Sequence, residues 1–464
     1  MVARAFQTTG ALIVCFVFYL AWFLTGKPVI TTNYVAELNR IVRPVADDSL
    51  NAAPLYHKAA KLYEKVPEDI SKLLGKKYRE AAVEEKQLIE KWIKENGEAL
   101  DLIIAGSQKP YYWQEYRTKR EESGMMGVLI PHLSEFRKLA FTFRWRAQLR
   151  AEQGRYEEAF GDIKSCYRLG RHLRGDKTLI EQLVGIAIEA MAVQTIRDIL
   201  IEHRIDSPIL AELQQSFEKM IADENRTVSF KFEKLTLYDE IQRCFTEDRF
   251  GGGHLCLRGR GLQRLIALVG SSSDVFEIIF REKGWAAAPH VLFTHPNKQE
   301  TREMADRYYA FWDKIVQKTP AQIRSERIDT EKEAMEIIKG NLLLEILTPA
   351  IGRVSEISYR NRADVEAVLT IIAILRYEQD SGGYPQNLKQ LMADDYLKQL
   401  PLDPFSEKPF VYKRTDDNFI LYSVGRNFTD DGGEYGKDRK GKPRLWYSLD
   451  GDAVFWPVPR SKVR

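Results

Sequence analysis

The residues best placed to do chemistry lie near the C-terminus. Thr429-Asp430-Asp431-Gly432-Gly433 is acidic and glycine-rich, and Asp452 follows after an insert, 434–445, that carries five basic residues. Calcium takes about six to eight hard oxygen ligands, and a flexible acidic loop can supply them. The basic insert favours the other reading, a solvated acidic turn. Two histidines, His290 and His295, sit in a second loop, but no carboxylate or cysteine stands at a zinc-ligand spacing from them. The glycine-rich stretch 250–261 has neither a preceding strand nor the Gly-Lys-Ser/Thr ending of a phosphate-binding loop, so it reads as a flexible connection. There is no Gly-x-Ser-x-Gly, His-Glu-x-x-His, Cys-x-x-Cys or dinucleotide fingerprint. Paired carboxylates leave no local trace, so an enzyme is not excluded. The expectation shifts toward a binding or structural role.

The elements around the acidic loop are legible. Along 365–379, Val365, Val368, Leu369, Ile372 and Leu375 form an apolar stripe with Arg376 at its margin, which predicts a helix. Gly382-Gly383 can end it with positive φ. A short amphipathic helix should follow, with Leu388, Leu391 and Met392 inward and Tyr396-Leu397 closing it. Pro401 and Pro404 forbid helix and predict a rigid turn around Asp403. The stretches 409–413 and 419–423 have strand composition, with turn chemistry at 415–418 between them. The expected module is a helix over about 350–380 laid on a small antiparallel sheet.

In order and spacing, these features resemble the major pseudopilin of type II secretion systems. The matching residues are Gly383-Tyr384-Pro385, Tyr396-Leu397, Leu400-Pro401, Asp403-Pro404-Phe405, Leu421-Tyr422-Ser423 with Gly425, and Asp452 to Trp456. The resemblance covers about the last quarter of the chain. It implies a calcium-binding loop whose ligands would be Val424, Asn427, Asp430, Asp431 and Asp452. Asn427 stands where that family usually has aspartate. Some 350 residues separate the first matched residue, Gly383, from the N-terminal apolar segment. Gly10 is followed by no glutamate at the fifth position, so the processing signature of a pseudopilus subunit fails.

The run 10–24 is apolar and uncharged, at the short end for a membrane span. Arg4 precedes it, Lys27 follows it, and no Ala-x-Ala site comes after it. An uncleaved signal anchor is expected, with the bulk of the chain outside the cytoplasm. From there to about residue 348 the apolar spacing is helical. Residues 51–63 predict a helix capped by Asn51, and 80–104 predict one long charged helix. Pro131 opens another. Within 140–173, Ala151, Gly154 and Ala159 surround a Gly-x-Tyr turn and resemble one tetratricopeptide-like helical pair. Three clean repeats are missing, so an irregular array is expected rather than a solenoid. Further helices are expected over 274–281, 300–318 and 323–346.

The fold class is therefore α+β: an anchor (1–27), a helical region (28–348) and a pseudopilin-like module (349–464). The 464 residues hold 69 basic and 66 acidic side chains, a balance that gives no argument for nucleic acid. Of the four cysteines, Cys244 and Cys256 flank the glycine-rich stretch and can be bridged or reduced. The expected function is that of a non-catalytic scaffold in the bacterial inner membrane, with its bulk in the periplasm and with protein partners. The alternatives are a component associated with the type II secretion pseudopilus and an envelope hydrolase. Calcium is the one cofactor suggested, and the whole chain resembles membrane-anchored bacterial proteins with a helical region before such a module.

Overall fold

The computed structural model describes residue 14 and residues 26–63, 66–222, 227–247, 252–256, 294–348, 351–438, 440–446 and 450–457. Most of the anchor segment, Cys15, the 274–281 helix and His290 lie outside the described residues. The described chain is mostly helical, with a small antiparallel sheet near the C-terminus.

The helices in order are α1 (Tyr34–Val42), α2 (Ala53–Leu62), α3 (Glu68–Leu73), α4 (Val83–Glu95), α5 (Gly97–Ser107), α6 (Leu133–Glu152), α7 (Tyr156–His172), α8 (Leu179–Glu202), α9 (Ser207–Ala222) and α10 (Lys231–Cys244). They continue with α11 (Lys298–Ile315), α12 (Pro320–Ser325), α13 (Thr330–Ile338), α14 (Leu342–Leu347), α15 (Ile351–Ser381) and α16 (Leu388–Ala393). The strands are β1 (Val411–Arg414), β2 (Phe419–Ser423) and β3 (Ala453–Trp456). They pair antiparallel in the order β1-β2-β3, with Val411 opposite Tyr422 and Ser423 opposite Ala453.

Four sequence expectations shift, the simplest being Met392, expected inward on α16 and found 39% exposed. Helix α2 starts after Ala52, and Asn51 stands one residue earlier. Its Oδ1 accepts from the backbone N–H groups of Ala53 and Trp113, both at 3.0 Å, so it ties two segments together as well as starting the helix. The expected helix over 80–104 breaks at Asn96-Gly97, where the Asn96 side chain donates back to the Trp92 carbonyl at 2.9 Å. An asparagine that competes for backbone partners, followed by glycine, is a poor helix interior. The stretch 323–346 is three short helices, interrupted where Arg327 and Gly340 take positive φ.

The hairpin α6–α7 turns at Gly154, whose φ is +74°. Helices α7 and α8 cross closely at Gly170 and Gly185. A Cβ at Gly185 would lie 2.6 Å from the Gly170 carbonyl oxygen, so both positions require glycine. Helix α8 is long and apolar enough to cross a membrane, the one such helix among the described residues. Here it packs against α6, α7 and α15, with Glu189, Arg197 and Asp198 buried and paired.

Helix α15 is where the sequence pattern understates the structure. From Ala363 to Ile374 every residue except Glu366 is buried. One side packs on α8 and α9, and another carries β2 and β3. One hydrophobic core therefore runs from Ala52 through α9 and α15 to Phe455 and Trp456. Helices α10, α11, α13 and α14 surround a second core around Tyr308, Tyr309 and Trp312.

Candidate functional site

The acidic loop is positioned by β2 and β3. Strand β2 ends at Ser423, and Val424 leads into a single 3₁₀ turn, Gly425–Asn427. Gly425, Phe428, Gly432 and Gly433 all have positive φ, so the chain doubles back on itself. Asp452, just before β3, is 2% exposed. Its Oδ2 accepts from the Gly433 N–H at 2.7 Å and its Oδ1 from the Asp431 N–H at 3.3 Å. The Asp452 N–H donates to the Glu434 carbonyl at 2.7 Å. Asp452 thus sews the loop to the sheet.

Asp430 Oδ1 accepts from the Tyr422 hydroxyl at 2.7 Å and the Gly432 N–H at 2.9 Å. These two bonds hold the Asp430 carboxyl below its usual range, against burial, and Lys413 nearby acts in the same direction. Burial pushes the Asp452 carboxyl up; its two amide bonds oppose this, while the Asp431 and Asp430 carboxylates add to it. Asp431 Oδ2 accepts from Asn427 Nδ2 at 2.6 Å. The reverse amide orientation would set two oxygens at that distance, so Asn427 is a donor here. Its own Oδ1 accepts from the Thr429 N–H at 3.1 Å.

The structure therefore brings Asp430, Asp431, Asp452 and Asn427 onto one loop. Val424 stands at its base, where its N–H donates to Asp403 Oδ2 at 3.1 Å. The oxygens are of the hardness calcium needs. Their arrangement is that of a hydrogen-bonded loop: the aspartates accept from amides, and Asn427 turns its nitrogen inward. The Lys413 ammonium donates to the Gly432 carbonyl at 2.9 Å and lies 5.2 Å from the Tyr422 ring centre. Among the described residues no three acidic, histidine or cysteine side chains converge as a metal shell.

Sequence reasoning missed Lys413 and Tyr422 as members of this site. Their signal is strand alternation. Lys413 pairs with Ile420 and Tyr422 lies two residues further along β2, so the two side chains share a face. Asp403 was expected to mark a turn and does more. It is 1% exposed and accepts from the Phe405 N–H, the Ser406 and Ser423 hydroxyls and the Val424 N–H. Its carboxylate joins the proline turn to the end of β2.

His295 is not available to a metal. Its Nδ1 lies 2.8 Å from the Pro296 carbonyl and its Nε2 accepts from the Leu342 N–H at 3.1 Å, which fixes the neutral tautomer with the proton on Nδ1. The thiols of Cys166, Cys244 and Cys256 are buried and form no disulfide. Cys244 and Cys256 are backbone neighbours, joined by a 2.7 Å bond from the Cys256 N–H to the Cys244 carbonyl.

Two further charged clusters lie in the helical body. At the start of α8, Glu181 Oε2 accepts from the Tyr116 hydroxyl at 2.8 Å and from Thr178, while Glu233 accepts from the Leu179 N–H at 2.6 Å. The buried Glu181 Oε1 and Glu233 Oε2 have no hydrogen-bond partner. Burial, with Glu181 nearby, pushes the Glu233 carboxyl up to about 7. Between α7, α8 and α15, Glu189 meets Arg174 at 3.2 Å and Arg171 at 3.6 Å, and accepts from Asn361 Nδ2 at 2.5 Å. Arg197 lies 3.6 Å from Asp364, which also accepts from Trp446 Nε1 at 3.2 Å.

Compared with known proteins, the chain matches no family model, no curated protein and no solved structure.

Proposed function

We propose that the chain is a non-catalytic scaffold held at the bacterial inner membrane by the apolar segment 10–24. Its bulk lies in the periplasm and presents a partly tetratricopeptide-like helical array and a pseudopilin-like module to protein partners. The observation that carries this reading is an open groove of about 670 Å³ where the array meets the module, lined by Glu218, Ile221, Thr227, Arg362, Leu397 and Lys398. Its mixed polar and apolar lining suits a segment of a protein partner. Because α15 belongs to both cores' surroundings, the two walls of the groove are held in fixed relation.

The test is recovery of partners from detergent-solubilised membranes with the full chain and with Gln399→Trp, which fills the groove from an exposed position. A partner retained by the wild type and lost by the variant supports the scaffold. Secretion-apparatus proteins in that fraction support the pseudopilus alternative. A partner bound equally by both proteins removes the groove from the account.

A second reading, compatible with the first, is that the acidic loop takes calcium. Three aspartates share one loop, and the Asp431 and Asp430 carboxylates help to raise that of Asp452. A divalent cation relieves such repulsion. Asp430, Asp431 and Asp452 would hold it with the Val424 carbonyl, and Asn427 joins only if it exchanges its nitrogen for its oxygen.

A further inference from the structure

The chain that leaves the apolar segment is fastened to the body without slack. Gly26 sits so close to Thr246 that a Cβ would meet Thr246 Cγ2 at 2.4 Å. Pro28 bridges to Thr246, and the N–H groups of Thr31 and Thr32 donate to Gln242 Oε1 at 3.1 and 3.2 Å. Only Thr25 separates Leu24 from Gly26, and Thr25 to Lys27 separate it from Pro28, reaches of at most about 7 Å and about 14 Å. A body tied that closely to a membrane span must rest against the bilayer.

The same helix shows which face rests there. Gln242 Nε2 donates to Asp239 Oδ1 at 2.8 Å, and Asp239 Oδ2 accepts from the Met125 N–H at 2.7 Å. Arg243 donates to the same Asp239 Oδ2 and to the Glu122 carbonyl. Residues 31–32 and 122–125 are therefore neighbours on the C-terminal half of α10. On this surface Val29, Ile30 and Met126 are 47%, 55% and 52% exposed, although each is apolar. Lys27, Lys119 and Arg120 are exposed in the same two segments, as is Glu122. Exposed apolar side chains with lysine and arginine in the same segments suit the boundary between headgroups and acyl chains.

We propose that the face formed by residues 27–32 and 119–126 lies in the headgroup layer of the bilayer that holds the apolar segment. The proposal rests on the anchor reading of residues 10–24 and adds the orientation of the whole body. The array and the module then stand away from the membrane, with α10 at the base.

The test uses the full chain in vesicles containing anionic lipid, in a Cys15→Ser background. Cysteines introduced one at a time, Ile30→Cys, Met126→Cys and, as a control, Val83→Cys on α4, carry an environment-sensitive fluorophore, with the buried Cys166, Cys244 and Cys256 left in place and the unsubstituted background as the blank. Lipids with a nitroxide at the headgroup should lower the emission at residues 30 and 126 about twofold or more and leave residue 83 unchanged. A carbonate-resistant, membrane-held protein with no quenching at residue 126 overturns the face and leaves the anchor standing. A chain that carbonate washes from the vesicles overturns the anchor and the face together.

Discussion

The buried charges of the helical body and the charges of the acidic loop solve opposite problems. Between α7, α8 and α15 each buried carboxylate meets a guanidinium: Glu189 with Arg171 and Arg174, Asp364 with Arg197. In the loop three aspartates of like sign lie together. They are held by the Gly432, Gly433 and Asp431 amides, the Tyr422 hydroxyl and the Asn427 side chain, with Lys413 as the nearby cation. Opposite charges between helices fix one packing, because breaking a pair leaves an ion without water. Like charges held by amides keep their mutual repulsion, which a bound cation would relieve. The first arrangement belongs to a framework, and the second to an adjustable edge.

The comparison breaks most visibly at Glu189. Glu189→Ala would strand Arg174 inside the contact of α8 with α15 and should cost about 3–5 kcal/mol in a denaturant titration of the full chain. A loss no larger than that of an exposed substitution would mean the cluster is not a framework.

The loop should respond less, and in a calcium-dependent way. If it takes the ion, a thermal melt of the full chain rises on calcium addition, by about 2.7 kcal/mol at a hundredfold excess over Kd. Asp452→Ala should remove that gain and, without calcium, cost about 1–3 kcal/mol through the amides it orphans. Asp416→Ala, in the exposed β1–β2 turn, should do neither. Superimposable wild-type melts with calcium and with chelator sink the calcium reading.

Glu233 sharpens the contrast, because it is a buried carboxylate of the body whose carboxyl is pushed up and whose Oε2 lacks a partner. A carboxyl raised to about 7 holds its proton in the folded chain where the unfolded chain has lost it. Its contribution is complete below the ordinary carboxylate range and is lost as the pH rises through about 7. Glu233→Gln stays neutral, so its stability should fall less between about pH 5 and pH 8, by on the order of 1–2 kcal/mol, than the wild type's. Parallel pH curves for the two proteins would show that Glu233 does not titrate there.

Much of the architecture was legible because it is written locally. Apolar spacing marked the helices, Gly154 and Gly382 marked their ends, and the composition of 419–423 marked a strand. The third strand, Ala453–Trp456, lay inside the matched stretch but was not assigned as a strand, since four residues carry little periodicity. For the site, the acidic residues were visible as composition, while their partners were not. Lys413 and Tyr422 act through strand register, and Asp403 acts on residues about twenty positions away.

What the sequence determined by itself is therefore the set of elements: where helix is favoured, where proline and glycine stop it, and which loop is acidic. These depend on interactions a few residues long. Tertiary structure alone decided that α15 is buried on more than one side and joins the array to the sheet. Its stripe of Val365, Val368, Leu369 and Ile372 predicts one covered face, but Ala367, Ile371 and Ile374 are covered as well, by elements distant in sequence. Burial of the second face requires the sheet to close over it, and no local pattern records that closure. The same holds for Glu189 and Asp364, whose charges look like surface residues until their arginine partners arrive from other segments.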